Sequence, residues 1–152
     1  MSPFTVHTLG ARDLALMDGV LSMFGEAFAA VETYGAARPS AEYLRHLLGS
    51  DSFIALAATK GDDVVGGLAA YELRKFERER SEIYIYDLAV ALPHRRQGIA
   101  TALMKELQRI AAERGAYVIF VQADHGDDAA IALYTKLGTR EDVLHFDIPV
   151  HE

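Results

Sequence analysis

The stretch SEIYIYDLAVALPHRRQGIATALMKELQRIAAERGAYVIFV, residues 81–121, determines the fold that the sequence predicts. Its first ten residues, Ser81–Val90, are rich in β-branched and aromatic side chains and predict a strand. A helix follows, and its predicted buried stripe is Ile99, Leu103, Leu107, Ile110 and Ala111. Gly115 ends the helix, and the apolar run Tyr117–Ala123 predicts a buried strand.

The chain before this stretch predicts a strand, two helices and a hairpin. Its predicted elements are a strand at Phe4–Leu9, a helix from Ala11 to about Ala30, a helix from its N-cap Ser40 to Leu48, and hairpin strands at Phe53–Thr59 and Val64–Glu72. The hairpin turn falls at residues 61–63, where Gly and Asp favour turn geometry.

The chain after this stretch predicts one more helix and one more strand. Asp127 or Asp128 caps the helix, which runs to Leu137 and is terminated by Gly138. Val143–Ile148 predicts the last strand. Helices and strands in this order are typical of an α/β or α+β protein with one mixed sheet. Because no linker or repeat interrupts the pattern, we expect a single domain over residues 1–152.

Composition excludes several classes of protein. The chain has 152 residues, 51% of them hydrophobic, and a net charge of −7. It has no cysteine, which excludes disulfides, a cysteine nucleophile and thiolate metal sites. The acidic balance disfavours a nucleic-acid partner and suits a cationic one. With no apolar run of membrane-spanning length and no signal-peptide pattern, we expect a cytoplasmic protein without a membrane partner. The six histidines show no HExxH or comparable spacing, so no metal is expected.

Arg95–Ala100, with the sequence RRQGIA, joins a predicted strand to the first turn of a predicted helix. Unpaired amides and the positive end of the helix dipole meet there, which is the arrangement that binds phosphate. Gly98 allows the backbone to approach a ligand closely. The segment is neither a nucleotide P-loop nor a dinucleotide fingerprint, because the further glycines and the Lys-Ser/Thr pair are missing. An ordinary basic turn is the alternative.

Three motifs in order resemble the GCN5-related N-acetyltransferase superfamily: Asp87-Leu88-Ala89-Val90, Arg95-x-x-Gly98-x-Ala100 and Ala130-x-x-x-Tyr134-x-x-x-Gly138. The resemblance implies a mostly antiparallel sheet that is splayed between its central strands and flanked by about four helices. It also implies acetyl-CoA as co-substrate, without a metal. The coenzyme-binding residues that it implies are Leu88, Ala89, Val90, Arg95, Arg96, Gln97, Gly98, Ile99, Ala100, Thr101, Asp127, Ala130 and Tyr134.

Longer stretches resemble the type I aminoglycoside 3-N-acetyltransferases. They are FIALAA at 53–58, SEIYIYDLAV at 81–90, HRRQGIATAL at 94–103, GAYVIFVQADHGDD at 115–128 and ALYTKLGTREDVLHFDI at 132–148. This family implies acetylation of the 3-amino group of gentamicin or sisomicin, antibiotic resistance and a homodimer. Asp127 and Thr139 depart from the wider superfamily, in which an asparagine and an aromatic residue are usual at these positions.

Acidic and aromatic residues supply the candidate substrate site, because clustered carboxylates attract a polycation. The candidates are Glu26, Glu32, Tyr34, Glu82, Tyr84, Asp124, His125 and Asp128. Asp124 follows a predicted strand, where open α/β sheets place ligands. For Asp127 or Asp128 the alternative is a helix cap, and for Glu26 and Glu32 it is a solvated helix face.

Catalysis requires an acceptor for the proton of the substrate ammonium. Asp87 is the first candidate for this base, Asp124 the second and Glu82 the third, while a structural role for Asp87 stays open. The resemblance implies that Tyr134 protonates the departing thiolate. Two other functions remain possible: acetylation of a protein N-terminus, lysine or polyamine, and non-catalytic sensing of acyl-CoA.

Overall fold

The computed structural model describes residues 3–35 and 37–151. In this part of the chain the strands are β1 (Thr5–Thr8), β2 (Phe53–Lys60), β3 (Asp63–Arg74), β4 (Ser81–Val90) and β5 (Ala116–Val121). The helices are α1 (Leu14–Ala27), α2 (Val31–Gly35), α3 (Ala41–Leu48), α4 (Ile99–Arg114) and α5 (Asp128–Leu137). None of these helices is long and apolar enough to cross a membrane. The chain divides into two compact units, residues 1–122 and residues 123–152.

The sheet of the first unit is mixed and has the order β1-β2-β3-β4-β5. Neighbouring strands are antiparallel except β4 and β5, which are parallel. β5 pairs with β4 only over Ser81–Ile85, whereas β3 pairs with β4 up to Val90. In the described residues, the second half of β4 is therefore paired on one side only. This confirms the predicted mixed, splayed sheet. The described residues form five α-helices, one more than the roughly four expected.

Two consecutive glycines in β3 allow helices to approach both faces of the sheet. A Cβ at Gly66 would lie 2.8 Å from Cγ2 of Ile99 in α4, and a Cβ at Gly67 would lie 2.9 Å from Cγ1 of Val20 in α1. Both distances are shorter than side-chain contacts allow, so a larger residue at either position would displace the facing side chain or its helix. The helices cover β2 from both faces, and Phe53–Thr59 is accordingly buried throughout.

Most predicted boundaries are confirmed to within two residues. Strand β4 occupies Ser81–Val90 as predicted, and Ser40 Oγ caps α3 by accepting a hydrogen bond of 3.1 Å from the Tyr43 amide. The helix predicted from Ala11 to Ala30 is instead two helices. Ala29 adopts a left-handed backbone with φ of 52°, which ends the first helix and turns the chain before α2.

Two strand predictions near the C-terminus are wrong. β5 is present, but within the first unit it pairs with one strand only, and Tyr117 and Val118 are 48% and 40% exposed, so it is not buried there. Val143–Ile148 has strand-forming residues but forms no strand within the described part of the chain. A strand needs a neighbouring strand for its backbone hydrogen bonds, and sequence pattern alone does not supply that neighbour.

Candidate active site

Asp87 lies on β4 beyond the point where pairing with β5 ends. Its half-buried carboxylate accepts a hydrogen bond of 3.0 Å from the Tyr34 hydroxyl. Burial raises the pKa of Asp87 above its ordinary value, and the hydrogen bond from Tyr34 offsets part of this effect. Because a raised pKa makes a carboxylate a stronger base, this environment suits proton acceptance.

Tyr34 is held in place from two directions. Its ring packs against Phe24 and Phe28, with centroids 6.0 and 5.9 Å away. The Arg38 guanidinium donates a hydrogen bond of 2.9 Å to the Tyr34 carbonyl and others to Asp18 on α1. Burial and the Asp87 carboxylate raise the pKa of Tyr34 to about 12, so its hydroxyl remains a donor at neutral pH.

Tyr34 is among the predicted substrate-binding residues, but no sequence pattern indicates its contact with Asp87. Arg38 is not among the predicted site residues. The two partners of the hydrogen bond are 53 positions apart, and no spacing rule connects residues at that separation.

The segment Arg95–Ala100 has an unusual backbone. Arg96 and Gly98 both adopt left-handed conformations, with φ of 62° and 81°. Such backbone turns amides toward one side, and a non-glycine residue there carries strain. Among the described side chains, none caps the first turn of α4, so its amides face outward without a side-chain acceptor. The Ile99 side chain is buried in the core, so only its backbone is available to a ligand.

Two side-chain contacts anchor this segment. Arg95 Nε donates a hydrogen bond of 3.0 Å to the carbonyl of Val90 at the end of β4. Lys60 Nζ on β2 donates to Gln97 Oε1 at 2.5 Å. Lys60 was not among the predicted residues, because it lies in the hairpin, far from the segment in sequence.

The segment fits a pyrophosphate group. We call this segment and its surroundings the cationic cradle. It consists of the outward amides, the positive end of the α4 dipole, the exposed Arg95 and Arg96 and the nearby Lys60. In the described structure, a Cβ built on Gly98 meets no atom within 4 Å, so the approach to the backbone is open. Ala100 and Thr101, in the first turn of α4, are half-exposed and add amides to the cradle.

The remaining β4 candidates have partners within the first unit. The Glu82 carboxylate forms an ion pair of 2.6 Å with Lys75, and this contact is the main cause that raises the pKa of Lys75. The Tyr84 ring stacks on Phe120 at 4.7 Å, and its hydroxyl donates to Gln122 at 3.0 Å. Leu88 and Ala89 are half-buried and Val90 is buried, so these residues offer a ligand mainly their backbone groups.

Glu26 and Glu32 are exposed on α1 and α2. Neither carboxylate has a hydrogen-bond or ion-pair partner among the described residues. Both positions are therefore compatible with either of the two interpretations, a substrate contact or a solvated helix face.

The second unit contains the remaining candidates. Asp127 caps α5, because its Oδ1 accepts a hydrogen bond of 3.3 Å from the Ala130 amide. Asp124, His125 and Asp128 are exposed. Tyr134 is half-buried on α5, and burial together with the Asp127 carboxylate raises its pKa to about 12. Its hydroxyl therefore holds a proton at neutral pH. In the described residues, no group of three potential metal ligands occurs.

Solved structures of aminoglycoside acetyltransferases are similar to this chain. HMB0005, an aminoglycoside acetyltransferase from an uncultured soil metagenomic sample, is 63% identical, with 97% of this chain and 99% of that chain covered and a TM-score of 0.96. The aminoglycoside acetyltransferase meta-AAC0020, also from an uncultured soil metagenomic sample and solved in complex with sisomicin, is 31% identical, with 97% and 96% covered and a TM-score of 0.88.

A rat protein is a more distant relative. N-acetyltransferase 8B of Rattus norvegicus is 28% identical over 89 residues, which are 59% of this chain and 40% of the rat protein. The matched region thus spans well under half the length of that relative. Residues 19–139, which include Asp87, the cradle and Tyr134, match the family described as Acetyltransferase (GNAT) family. The chain belongs to the GNAT acetyltransferase family.

Proposed function

We propose that the protein transfers an acetyl group from acetyl-CoA to the 3-amino group of an aminoglycoside such as gentamicin or sisomicin, and thereby confers resistance. The observation that carries the chemistry is a half-buried carboxylate, Asp87, on the strand that leads into a pyrophosphate cradle. The 63% identity to an aminoglycoside acetyltransferase supports the substrate class. The proposal includes one domain over residues 1–152, a cytoplasmic location and a homodimer.

Acetyl-CoA binds along β4 and the cradle in this proposal. Its pyrophosphate contacts the amides of Gly98–Thr101 and the side chains of Arg95, Arg96 and Gln97. Its pantetheine arm pairs with the backbone of Leu88–Val90, which is supported by the absence of a strand on that side within the described residues. Asp127, Ala130 and Tyr134 are the proposed contacts from the second unit.

The proposed reaction is a direct transfer in a ternary complex. The substrate ammonium gives a proton to Asp87, and the resulting amine attacks the thioester carbonyl carbon. The Val90 amide stabilises the oxyanion that forms. The carbon–sulfur bond then breaks, and the nitrogen gives its second proton to solvent as the amide forms. The Tyr134 hydroxyl gives its proton to the thiolate and regains one from solvent. The pKa of Tyr134, about 12, keeps the hydroxyl protonated until the thiolate forms.

Carboxylates recognise the polycationic substrate in this proposal. Asp124, Asp128, Glu26 and Glu32 are exposed, and the net charge of −7 adds a general attraction. Tyr84 and His125 provide further polar contacts. The engagement of Glu82 by Lys75 favours Asp87 over Glu82 as base, because the Glu82 carboxylate already has a partner.

Arg96→Gly should weaken acetyl-CoA binding by roughly 10–100-fold, the loss of one charge-assisted contact to phosphate. The fold should be unharmed, because glycine accepts the left-handed backbone of this position without strain. Titration calorimetry measures the dissociation constant. The charge control is Arg45→Gln on α3, which removes one positive charge elsewhere and should leave acetyl-CoA affinity unchanged. Equal affinities of wild type and Arg96→Gly would contradict the cradle.

Tyr34→Phe should shift the acid limb of the kcat/KM profile to higher pH. The Tyr34 hydrogen bond lowers the pKa of Asp87, so its loss raises that pKa further, and more alkaline solution is needed to form the carboxylate. The phenylalanine ring retains the packing against Phe24 and Phe28. Tyr43→Phe, on an exposed face of α3, is the matched control and should not move the profile. If the acid limb is unshifted in Tyr34→Phe, the ionisation of Asp87 does not control kcat/KM at low pH.

Asp124→Asn should raise KM for gentamicin by roughly tenfold, with kcat and acetyl-CoA affinity nearly unchanged. The substitution removes one charge and keeps the shape, so the effect is electrostatic. Added salt should weaken gentamicin binding to the wild type more than to the variant. Asp62→Asn, in the exposed turn between β2 and β3, controls for net charge. A collapse of kcat with constant KM would assign the base to Asp124 instead.

A substrate panel tests the proposed function. Thiol release from acetyl-CoA is measured with gentamicin, sisomicin, kanamycin, spermidine and lysine-containing peptides. We expect turnover with gentamicin and sisomicin. Turnover of spermidine or peptides without turnover of any aminoglycoside would instead favour the acetyltransferase of a polyamine or protein. Coenzyme binding without turnover of any amine would favour the acyl-CoA sensor.

A further inference from the structure

Arg38 connects the end of helix α2 to helix α1. All three nitrogens of its guanidinium donate hydrogen bonds: Nε to the Tyr34 carbonyl at 2.9 Å, Nη1 to the carbonyl and the carboxylate of Asp18 at 3.3 Å each, and Nη2 to the Ser22 hydroxyl at 3.2 Å. Asp18 and Ser22 are four positions apart on α1, so they lie on one face of that helix. One side chain thus holds the backbone of Tyr34 against α1.

Helix α2 depends on such an external contact. It has only five residues, Val31–Gly35, and a helix of this length is not stable by itself in water. The Tyr34 carbonyl lies in its last turn, where carbonyls have no partner within the helix. The Arg38 guanidinium supplies that partner and at the same time fixes the direction in which α2 leaves α1.

Helix α1 is a firm support for this contact, because it packs closely on the sheet. A Cβ at Gly67 on β3 would lie 2.9 Å from Val20 on α1, and β3 pairs with β4 along the half that carries Asp87. The contacts form a closed path. It runs from Asp87 through β3 to α1, through Arg38 to Tyr34, and back to Asp87 by the hydrogen bond of 3.0 Å.

Arg38 does not act on Asp87 through its charge. Its guanidinium is paired with the Asp18 carboxylate, and within the described chain Asp87 has no ion-pair partner. The other titratable groups near Asp87 are phenols. Burial raises the pKa of Tyr71 on β3 and of Tyr84 on β4, with a contribution from the Asp87 carboxylate, so both are uncharged in acid.

Tyr86 on β4 packs against the rings of Tyr71 and Tyr84, with centroids 6.0 and 6.1 Å away. Of the phenols in the described residues, Tyr34 is the one that donates a hydrogen bond to Asp87. A displacement of Tyr34 therefore reaches the carboxylate directly.

We propose that Arg38 is a positioning residue for the general base: by holding Tyr34 against α1, it keeps the Tyr34 hydroxyl on the Asp87 carboxylate, which stays oriented and ionised. The catalytic part of this inference rests on the proposed function, since it takes Asp87 as the base. Lysine cannot replace Arg38 fully, because a single ammonium lacks the planar fork that reaches acceptors on both helices.

Carbon-13 NMR of protein labelled at its aspartate carboxyl groups tests the positioning without a substrate. Asp87→Asn identifies the Asp87 signal, and titration gives its pKa. We expect Arg38→Ala to raise this pKa by up to the shift seen in Tyr34→Phe, and the double variant to match Tyr34→Phe alone, because both substitutions break one hydrogen bond. Arg12→Ala, in the exposed turn before α1, is the control and should not move it. An unmoved pKa in Arg38→Ala, or a larger shift in the double variant, would overturn the proposal.

The pH profile of acetyl transfer connects the positioning to the reaction. Arg38→Ala should move the acid limb of kcat/KM to higher pH, and Arg38→Lys should restore at most part of the wild-type profile. A loss that is equal at every pH, with the limb in place, would make Arg38 merely structural and overturn the proposal. If no aminoglycoside is acetylated, the proposed function fails, whereas the carboxyl titration still decides the role of Arg38.

A second variant keeps the test decisive if Arg38→Ala fails to fold. Asp18→Ala with Ser22→Ala retains the arginine and removes its side-chain acceptors on α1. We expect the pKa of Asp87 to move in the same direction as in Tyr34→Phe, by a smaller amount, because the Asp18 carbonyl still accepts a hydrogen bond. An unchanged pKa in this variant would show that α1 does not position Tyr34 through Arg38.

Discussion

Asp87→Asn should lower kcat for acetyl transfer by about 10²–10⁴-fold, the usual contribution of a general base. Asparagine is nearly isosteric, and its side-chain oxygen still accepts a hydrogen bond from Tyr34. Binding of both substrates should therefore change little. Acetyl-CoA affinity in particular should be unaffected, because the proposed phosphate contacts lie at residues 95–101.

The stability of this variant distinguishes lost chemistry from lost structure. Burial raises the pKa of Asp87 above its value in the unfolded chain, so the ionised carboxylate disfavours folding at pH values above the raised pKa. This penalty fades as pH falls from the raised pKa to the unfolded one. Removing the charge should leave the free energy of unfolding at pH 7 unchanged or higher. Urea denaturation measures it.

A matched control is Asp63→Asn, at the exposed start of β3, which should retain full activity. Alkaline solution should partly rescue Asp87→Asn, because deprotonated amine then no longer needs the base. If Asp87→Asn has wild-type kcat at neutral pH, Asp87 is a structural residue and the base is elsewhere, with Asp124 the next candidate.

Tyr134→Phe should lower kcat by about 10²–10⁴-fold through loss of the proton donor. The ring still fills its half-buried place on α5, so stability and the dissociation constants of both substrates should hold. Tyr117→Phe, at an exposed position of β5, is the control and should leave kcat unchanged. Single-turnover kinetics show whether the loss is in the chemical step.

Two results would contradict the role of Tyr134. A kcat that falls by less than tenfold would mean that water or another donor protonates the thiolate. A weaker acetyl-CoA affinity with a normal kcat would make Tyr134 a binding residue, a role that the family resemblance also allows.

Local patterns were sufficient for most of the first unit. Some features depend only on residues within a few positions of each other, so the sequence predicts them directly. They are strand Ser81–Val90, the Ser40 cap and the Gly115 terminus of α4. The Arg95–Ala100 part of the cradle is also visible in adjacent residues, as a basic, glycine-containing turn before a helix, whereas the contribution of Lys60 is not.

Long-range contacts account for what sequence missed. The Tyr34–Asp87 and Lys60–Gln97 hydrogen bonds join residues that are 53 and 37 positions apart, and no periodicity connects them. The burial expected of β5 and the strand expected at Val143–Ile148 failed for a related reason. Both depend on which strand or helix lies beside the segment. A strand pattern predicts which side chains share a face, but it does not predict which element packs against that face.

The structure of the acetylated product tests the central claim most directly. Sisomicin is incubated with the protein and acetyl-CoA labelled with ¹³C in the acetyl group, and NMR locates the new amide on the antibiotic. The account predicts a single product that carries the acetyl group on the 3-amino nitrogen of the deoxystreptamine ring. An acetyl group on any other nitrogen, or no acetylated sisomicin under conditions where another amine is turned over, would contradict it.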